Sequence, residues 1–376
     1  MKFLSTNTLI IACFAVLAVF FVAMSTIGTR RYRVKDYGKL RILFGAMALV
    51  ALDLAFIAMV DISSTPYSGY QVNPEYSVIN VDSNGPATTA GLKEGDFIAE
   101  IGGVRTDHLH ALAKQPRVSI GGEVALTVYR DQNRLDLLVK QAALPGKEVF
   151  LAWAGDLIAL VMLTTGLLVY WKRPNKVRTL FFLSSFCFAL AFMKPPYFET
   201  ALLRNIVAFN FIFFITMGFA FFLHLAVVFP RPKPLIADGS FWEMILYVPA
   251  PLLAINYLGL RLLQPRADLL VNRVLHDAFA LLVLACLSLT LAALGHSFWK
   301  SDYRGLSRTM NVVLVSVLLG VLPPLAGFLL ETFKPAVSLP GQEYFRLWAI
   351  LVPLSLGWAI WKVDRPVKDH GLRQAA

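Results

Sequence analysis

Asp53, Asp156 and His224 are the residues of this 376-residue chain whose placement points most directly to chemistry, because each stands inside a long apolar run. An ionisable group carried into hydrocarbon costs about 2.5–3.5 kcal/mol or more, so such residues often serve as proton relays, ligand contacts or conformational locks. The plainer alternative is a neutral acid or imidazole satisfied by Ser, Thr or backbone groups. The six histidines form no His-Glu-x-x-His arrangement, which zinc-dependent hydrolysis on one helix face requires. Cys13, Cys187 and Cys286 all fall in apolar runs, which argues against both a disulfide framework and a thiolate metal cluster. Hydroxyl residues inside the runs have backbone and neighbouring-helix bonds as their ordinary task. No catalytic set, metal site or cofactor motif is expected.

The elements that must hold these residues are membrane helices. The chain is 57% apolar and 16% charged, with 28 phenylalanines, against roughly 25% charged in an ordinary soluble domain. A helix rising 1.5 Å per residue needs about 20 residues to cross the hydrocarbon core. Runs at 9–27, 42–60, 149–171, 206–229, 242–263, 274–295 and 310–330 meet or approach that length, and shorter ones at 179–193 and 345–361 can span with little tilt. The expectation is a polytopic α-helical membrane protein of about nine spans. The first run resembles a secretory signal at its start, yet it approaches 19 apolar residues and is followed by six basic ones, which favours a retained helix.

Basic residues crowd every second connection: Arg30 to Arg41, Lys172 to Arg178, Arg231 with Lys233, Lys300 to Arg308, and the tail after Trp361. Such connections stay on the cytoplasmic side, which places the alternate loops outside and the C-terminus inside. The net charge of +11 is divided among these loops, so it suits topology and anionic lipid headgroups and does not suggest nucleic acid. Pro323-Pro324 must kink or break the eighth run, a feature shared with transporters, but the two halves show no repeat.

Between the second and third runs the pattern changes from continuous to alternating. Val78-Ile79-Val81, Phe97-Ile98-Ile101, Val124-Leu126-Val128 and Leu135-Leu137-Val139 read as strands, with Asp131 to Asn133 as the turn between the last two. A short helix over residues 87–90 ends at Gly91, and a second over residues 107–114 has Thr106 or Asp107 as its cap. These features divide the chain into residues 1–66, a β-rich insert at 67–144, a seven-helix portion at 145–361 and a short tail at 362–376.

The stretch Gly85-Pro86-Ala87-Thr88-Thr89-Ala90-Gly91-Leu92-Lys93-Glu94-Gly95-Asp96-Phe97-Ile98, followed by Ile101-Gly102-Gly103, resembles the core signature of PDZ domains. That resemblance implies a peptide or protein-tail binding module whose ligand adds a strand beside an edge strand and the second helix. Tyr67-Ser68-Gly69-Tyr70 is similar to the family's carboxylate-binding loop, and His108 and Leu112 would lie on the groove side of the second helix. The groove strand Tyr70-Gln71-Val72 is short and Asn73-Pro74 interrupts it, a departure from the family's pattern. A purely structural role for the insert stands beside peptide capture.

Tyr170-Trp171-Lys172-Arg173-Pro174, the stretch from His224 to Pro232, and the stretch from Val352 to Ile360 together resemble the membrane sensory region of some bacterial histidine kinases. The resemblance implies a bacterial inner-membrane sensor with the insert outside and a cytoplasmic signalling partner. Residues 362–376 are too few for an ATP-binding fold, and His370 among them reads as ordinary surface chemistry. The expected function is signal reception through the insert, with a non-enzymatic scaffold as the first alternative and a transporter or intramembrane enzyme as the second.

Overall fold

The computed structural model describes residues 34–195, 198, 200–230, 245–262, 269–299, 304–333 and 339–363. The first apolar run, at 9–27, lies outside these residues, as does His370. Helix α1 (Val34–Asp61) leads through a short 3-10 turn into the insert. The helical portion resumes with α4 (Gly146–Lys172), α5 (Lys176–Phe192), α6 (Ala201–Val228), α7 (Pro249–Leu262), α8 (Leu269–Trp299) and α9 (Arg304–Phe333). It ends with a 3-10 segment (Gln342–Ile350) running into α10 (Leu351–Val363).

Among the described residues, six helices are long and apolar enough to cross a membrane, not clearly the nine expected. The shortfall among them falls on α5 and α7, of 17 and 14 residues. Helix α5 is enveloped: Leu180, Phe181, Phe182, Leu183 and Phe186 are all buried, and it packs against both α4 and α6. Its close approach to α4 depends on small residues, since a Cβ at Gly155 would sit 2.9 Å from the Phe192 carbonyl oxygen and one at Gly166 2.9 Å from Ser185 Cβ. Phe44 of α1 stacks on Phe182 with ring centroids 4.6 Å apart, which ties α1 to the same core.

The insert holds β1 (Pro66–Tyr67), β2 (Tyr70–Val72), β3 (Val78–Val81), α2 (Pro86–Thr89), β4 (Phe97–Ile101), β5 (Val104–Arg105), α3 (Leu109–Lys114), β6 (Glu123–Arg130), β7 (Asn133–Lys140) and β8 (Ala142–Ala143). A four-stranded sheet runs β5-β4-β6-β7, while β2 pairs with β3 and β1 with β8, all antiparallel. In the β6–β7 hairpin Arg130 pairs with Asn133, so the loop is Asp131-Gln132, both at positive φ (48° and 68°) as the tight hairpin turn requires. Val78, Leu92, Ile98, Leu126, Val128 and Val139 form the core, with Ile101 packed at its edge. The alternation read in the sequence is thus the inward face of a small sandwich.

The cap of the second insert helix differs from expectation. Helix α3 begins at Leu109 with His108 as its N-cap, and no side chain caps it. The Thr106 hydroxyl instead donates to the Ile98 carbonyl at 2.9 Å, and Asp107 is engaged by Arg105 at 2.7 Å. Both candidate capping groups are engaged by other partners.

Candidate functional site

The Tyr67–Tyr70 loop is rigidly seated. Gly69 adopts φ +76°, where a side chain is strained, and a Cβ there would meet Pro86 Cδ at 2.9 Å and Gly85 Cα at 3.0 Å. The Ser68 carbonyl accepts from the Ala87 N–H at 3.0 Å and the Gly69 carbonyl from the Asp82 N–H at 2.9 Å. Ser68 Oγ donates to Gln141 Oε1 at 2.9 Å, and the Tyr67 hydroxyl donates to Asp82 Oδ2 at 2.8 Å. Burial, with the Asp82 carboxylate adding, holds the Tyr67 phenol well above its usual range; burial, with Tyr76 adding, pushes Tyr70 up to about 12. Both phenols are therefore neutral donors at any physiological pH.

Beyond the loop, β2 pairs with β3 along one edge, and no second strand borders it among the described residues. His108, the N-cap of α3, is half-buried beside Asp107 at 3.8 Å, and on the helix Leu112 lies with Tyr76 and Leu275 around the buried Leu109. Tyr76 and Leu109 thereby join the β2–β3 turn to α3, and Leu275 brings in α8.

Helix α3 is anchored from both sides at its C-terminal end. Within the insert, Gln115 Nε2 donates to the Ile101 carbonyl at 2.9 Å. From the bundle, Arg204 of α6 donates to the Ala113 carbonyl at 3.4 Å and to that of Gln115, while Asn205 Nδ2 reaches the Ala113 carbonyl at 3.4 Å. A cation and an amide thus meet the carbonyls that a helix leaves unsatisfied at its C-terminus. The β2–β3 turn is held likewise by the start of α8, where Asn272 Nδ2 donates to the Pro74 carbonyl at 3.1 Å and Arg273 pairs with Glu75.

Between this face of the insert and the helix ends lies a cavity of about 830 Å³. Val72, Pro74 and Tyr76 line it from the insert, and residues of α5 through α9 from the bundle. A second cavity, about 510 Å³, lies against Tyr67, Tyr70 and Asp82 on one side and Lys147 and Glu148 of α4 on the other.

The intramembrane candidates separate in three dimensions. Asp53 is exposed on α1 and makes no hydrogen bond among the described residues. Asp156 is 3% exposed, with Oδ1 accepting from the Lys194 N–H at 3.3 Å. His224 is fully buried, its Nδ1 against the Tyr247 hydroxyl. They do not converge, and among the described residues no group of three His, Cys, Asp or Glu side chains is arranged to hold a metal.

The sequence reading passed over Arg204-Asn205 and Asn272-Arg273 as loop boundaries. The available signal was a repeated one: a cation beside an amide in the first turns of both α6 and α8.

Residues 57–140 match the PDZ domain family. The chain therefore carries a PDZ domain embedded among long apolar helices, and that family binds peptides or protein C-termini without catalysis. The match covers the domain alone and gives no support to the expected likeness of the flanking helices to histidine-kinase sensory regions. No curated protein matches the chain.

Proposed function

We propose that this protein is a membrane receptor or regulator whose PDZ domain captures an extended protein segment outside the cytoplasm and passes the occupied state to the helix bundle and on to a cytoplasmic partner. The observation that carries the reading is the seating of α3, the helix that would border the bound segment, on Arg204 and Asn205 of α6. A ligand strand entering beside β2 would press on α3, and the load would reach a transmembrane helix through direct hydrogen bonds without an intervening linker. The seated loop at Tyr67–Tyr70 would receive the terminal carboxylate, with Leu112 supplying apolar contact and His108 a polar rim.

The orientation follows the basic connections, with the PDZ domain outside and the C-terminus inside. A reporter active only outside the cytoplasm should work when fused after Gly103 and fail when fused after Asn175. Binding is tested on the full chain in detergent with a library of C-terminal peptides. L112W should abolish binding and leave the domain folded, whereas equal binding by L112W would remove Leu112 and the groove from the site. A scaffold that holds another membrane protein is the second reading, favoured by the same rigid anchoring of the domain. Crosslinking in native membranes supports either reading by recovering a protein partner, and solute flux in purified vesicles with no partner recovered would overturn both.

A further inference from the structure

Strand β2 starts at the Tyr67–Tyr70 loop and ends at Val72, so a tail whose carboxylate lies in the loop has its upstream residues at the Val72 end. At about 3.3 Å per residue, this short strand pairs with about three ligand residues before the chain passes that end. Val72, with Asn73, Pro74 and Tyr76 of the following turn, lines the half-open cavity of about 830 Å³. Tyr76 also packs against Leu109 at the start of α3, and so does Leu275 of α8, which lines the same cavity. The far end of the groove and the cavity are therefore continuous. On the bundle side the lining follows one face of α6, from Arg204 through Val207, Ala208 and Phe211 to Ile215, three turns or about 16 Å along the axis. Helix α6 is long and apolar enough to cross a membrane. Partway along, Asn210 presents a buried Oδ1 with no hydrogen-bond donor against it among the described residues.

We propose that the segment captured by the PDZ domain is the C-terminal tail of a second membrane protein, and that apolar residues at about the fourth to eighth positions from its end descend through this cavity along α6. The inference rests on the reading of the insert as a tail-capturing groove and adds the class of partner. About five extended residues cover the 16 Å from Arg204 to Ile215. Polar side chains on that path would give up water among apolar and aromatic ones, whereas apolar side chains gain by leaving it. An extended backbone at membrane depth is tolerated where protein covers it and its N–H groups find acceptors. Asn210 Oδ1 offers one such acceptor. An acyl chain has no donor for that oxygen and gains nothing from the edge of β2, so the continuity of groove and cavity favours a polypeptide. The partner's last membrane segment then ends within about eight residues of its C-terminus, on the side of the membrane that holds the PDZ domain. Val207, Ala208 and Phe211 become specificity-determining residues for a tail whose end the PDZ domain holds.

The test uses the full chain in phosphatidylcholine nanodiscs and two sets of fluorescent ten-residue peptides. Both sets have randomised last three positions; the fourth to eighth positions from the end are leucine and valine in one set, serine and glutamine in the other. Copies with an amidated C-terminus measure partition into the lipid. After that correction the tightest members of the apolar set should bind ~10- to 100-fold more tightly than those of the polar set, the gain from burying about two aliphatic side chains less the cost of ordering them. A208W, which narrows the cavity, should remove that preference and leave the affinity of the polar set unchanged. A photoreactive leucine at the sixth position from the end should label α6 or α8 in the unsubstituted protein, a readout independent of how the variant folds. Equal affinity of the two sets, with L112W abolishing both, overturns the membrane partner and leaves the groove standing. Absence of carboxylate-dependent binding by either set removes the groove and this proposal with it. A label confined to the PDZ domain, or to lipid, also overturns the proposal and leaves the cavity to acyl chains.

Discussion

Replacement of Arg204 by Met keeps most of the apolar stem and removes the guanidinium that α6 places on the end of α3. The contacts of Arg204 and Asn205 with the Ala113 carbonyl, both 3.4 Å, lie beyond the usual 2.7–3.2 Å range and contribute little. The bond to the Gln115 carbonyl is charge-assisted and stands at a helix C-terminus, so its loss should ease opening of α3 by about 1.5–3 kcal/mol. A six-residue helix has no independent stability, and its amides exchange through local opening governed by tertiary anchors. Hydrogen exchange of the α3 amides in R204M should therefore accelerate by ~10- to 150-fold. Amides of the β6–β7 hairpin, which α6 does not anchor, provide the internal control. Unchanged exchange in α3 would show that the anchor carries no load, and equal acceleration in α3 and the hairpin would show general destabilisation. Either result refutes direct coupling between the PDZ helix and the membrane helix.

Asp96 is 1% exposed, receives two 2.7 Å bonds from Arg130 and accepts the Lys93 N–H at 2.9 Å, so D96N should destabilise the PDZ domain by about 3 kcal/mol in thermal unfolding followed by proteolysis. Burial alone would raise its carboxyl; the Arg130 bonds, the Lys93 amide and the neighbouring charges outweigh burial and hold it below the usual carboxylate range. The stabilisation is then complete above the unfolded value of about 3.9 and disappears as pH falls through the lower folded value, a decline that D96N should not share. G69A should cost at least about 2 kcal/mol, because its Cβ meets Pro86 and Gly85 while the backbone stays at positive φ, and peptide binding should weaken with it. I98A empties a fully buried core position and should cost about 2–5 kcal/mol, with I101A costing less, in the same unfolding assay.

Local chemistry was enough to read the PDZ insert and the apolar character of the rest. A strand with one buried face must alternate, as Leu126 and Val128 do, and Gly91 at φ +89° ends α2 where few other residues fit. Length and apolarity mark a membrane helix whatever its neighbours, yet they do not count spans, because α5 is short and enclosed by α4 and α6. Asp53, Asp156 and His224 carry the same one-dimensional signal, a polar residue in an apolar run, and packing alone leaves the first exposed and buries the other two. Thr106 and Asp107 have side chains suited to a helix cap, but β4 passes close enough to take the Thr106 hydroxyl and Arg105 takes the carboxylate. The most consequential feature was the least legible. Lys194, Arg204 and Arg117 are far apart in sequence or on different elements, and only the docking of the insert on the helix ends brings their charges around one cavity. Local patterns report what a segment buries; which segments share a charge, a carbonyl or a void depends on distances that exist only after the chain has folded.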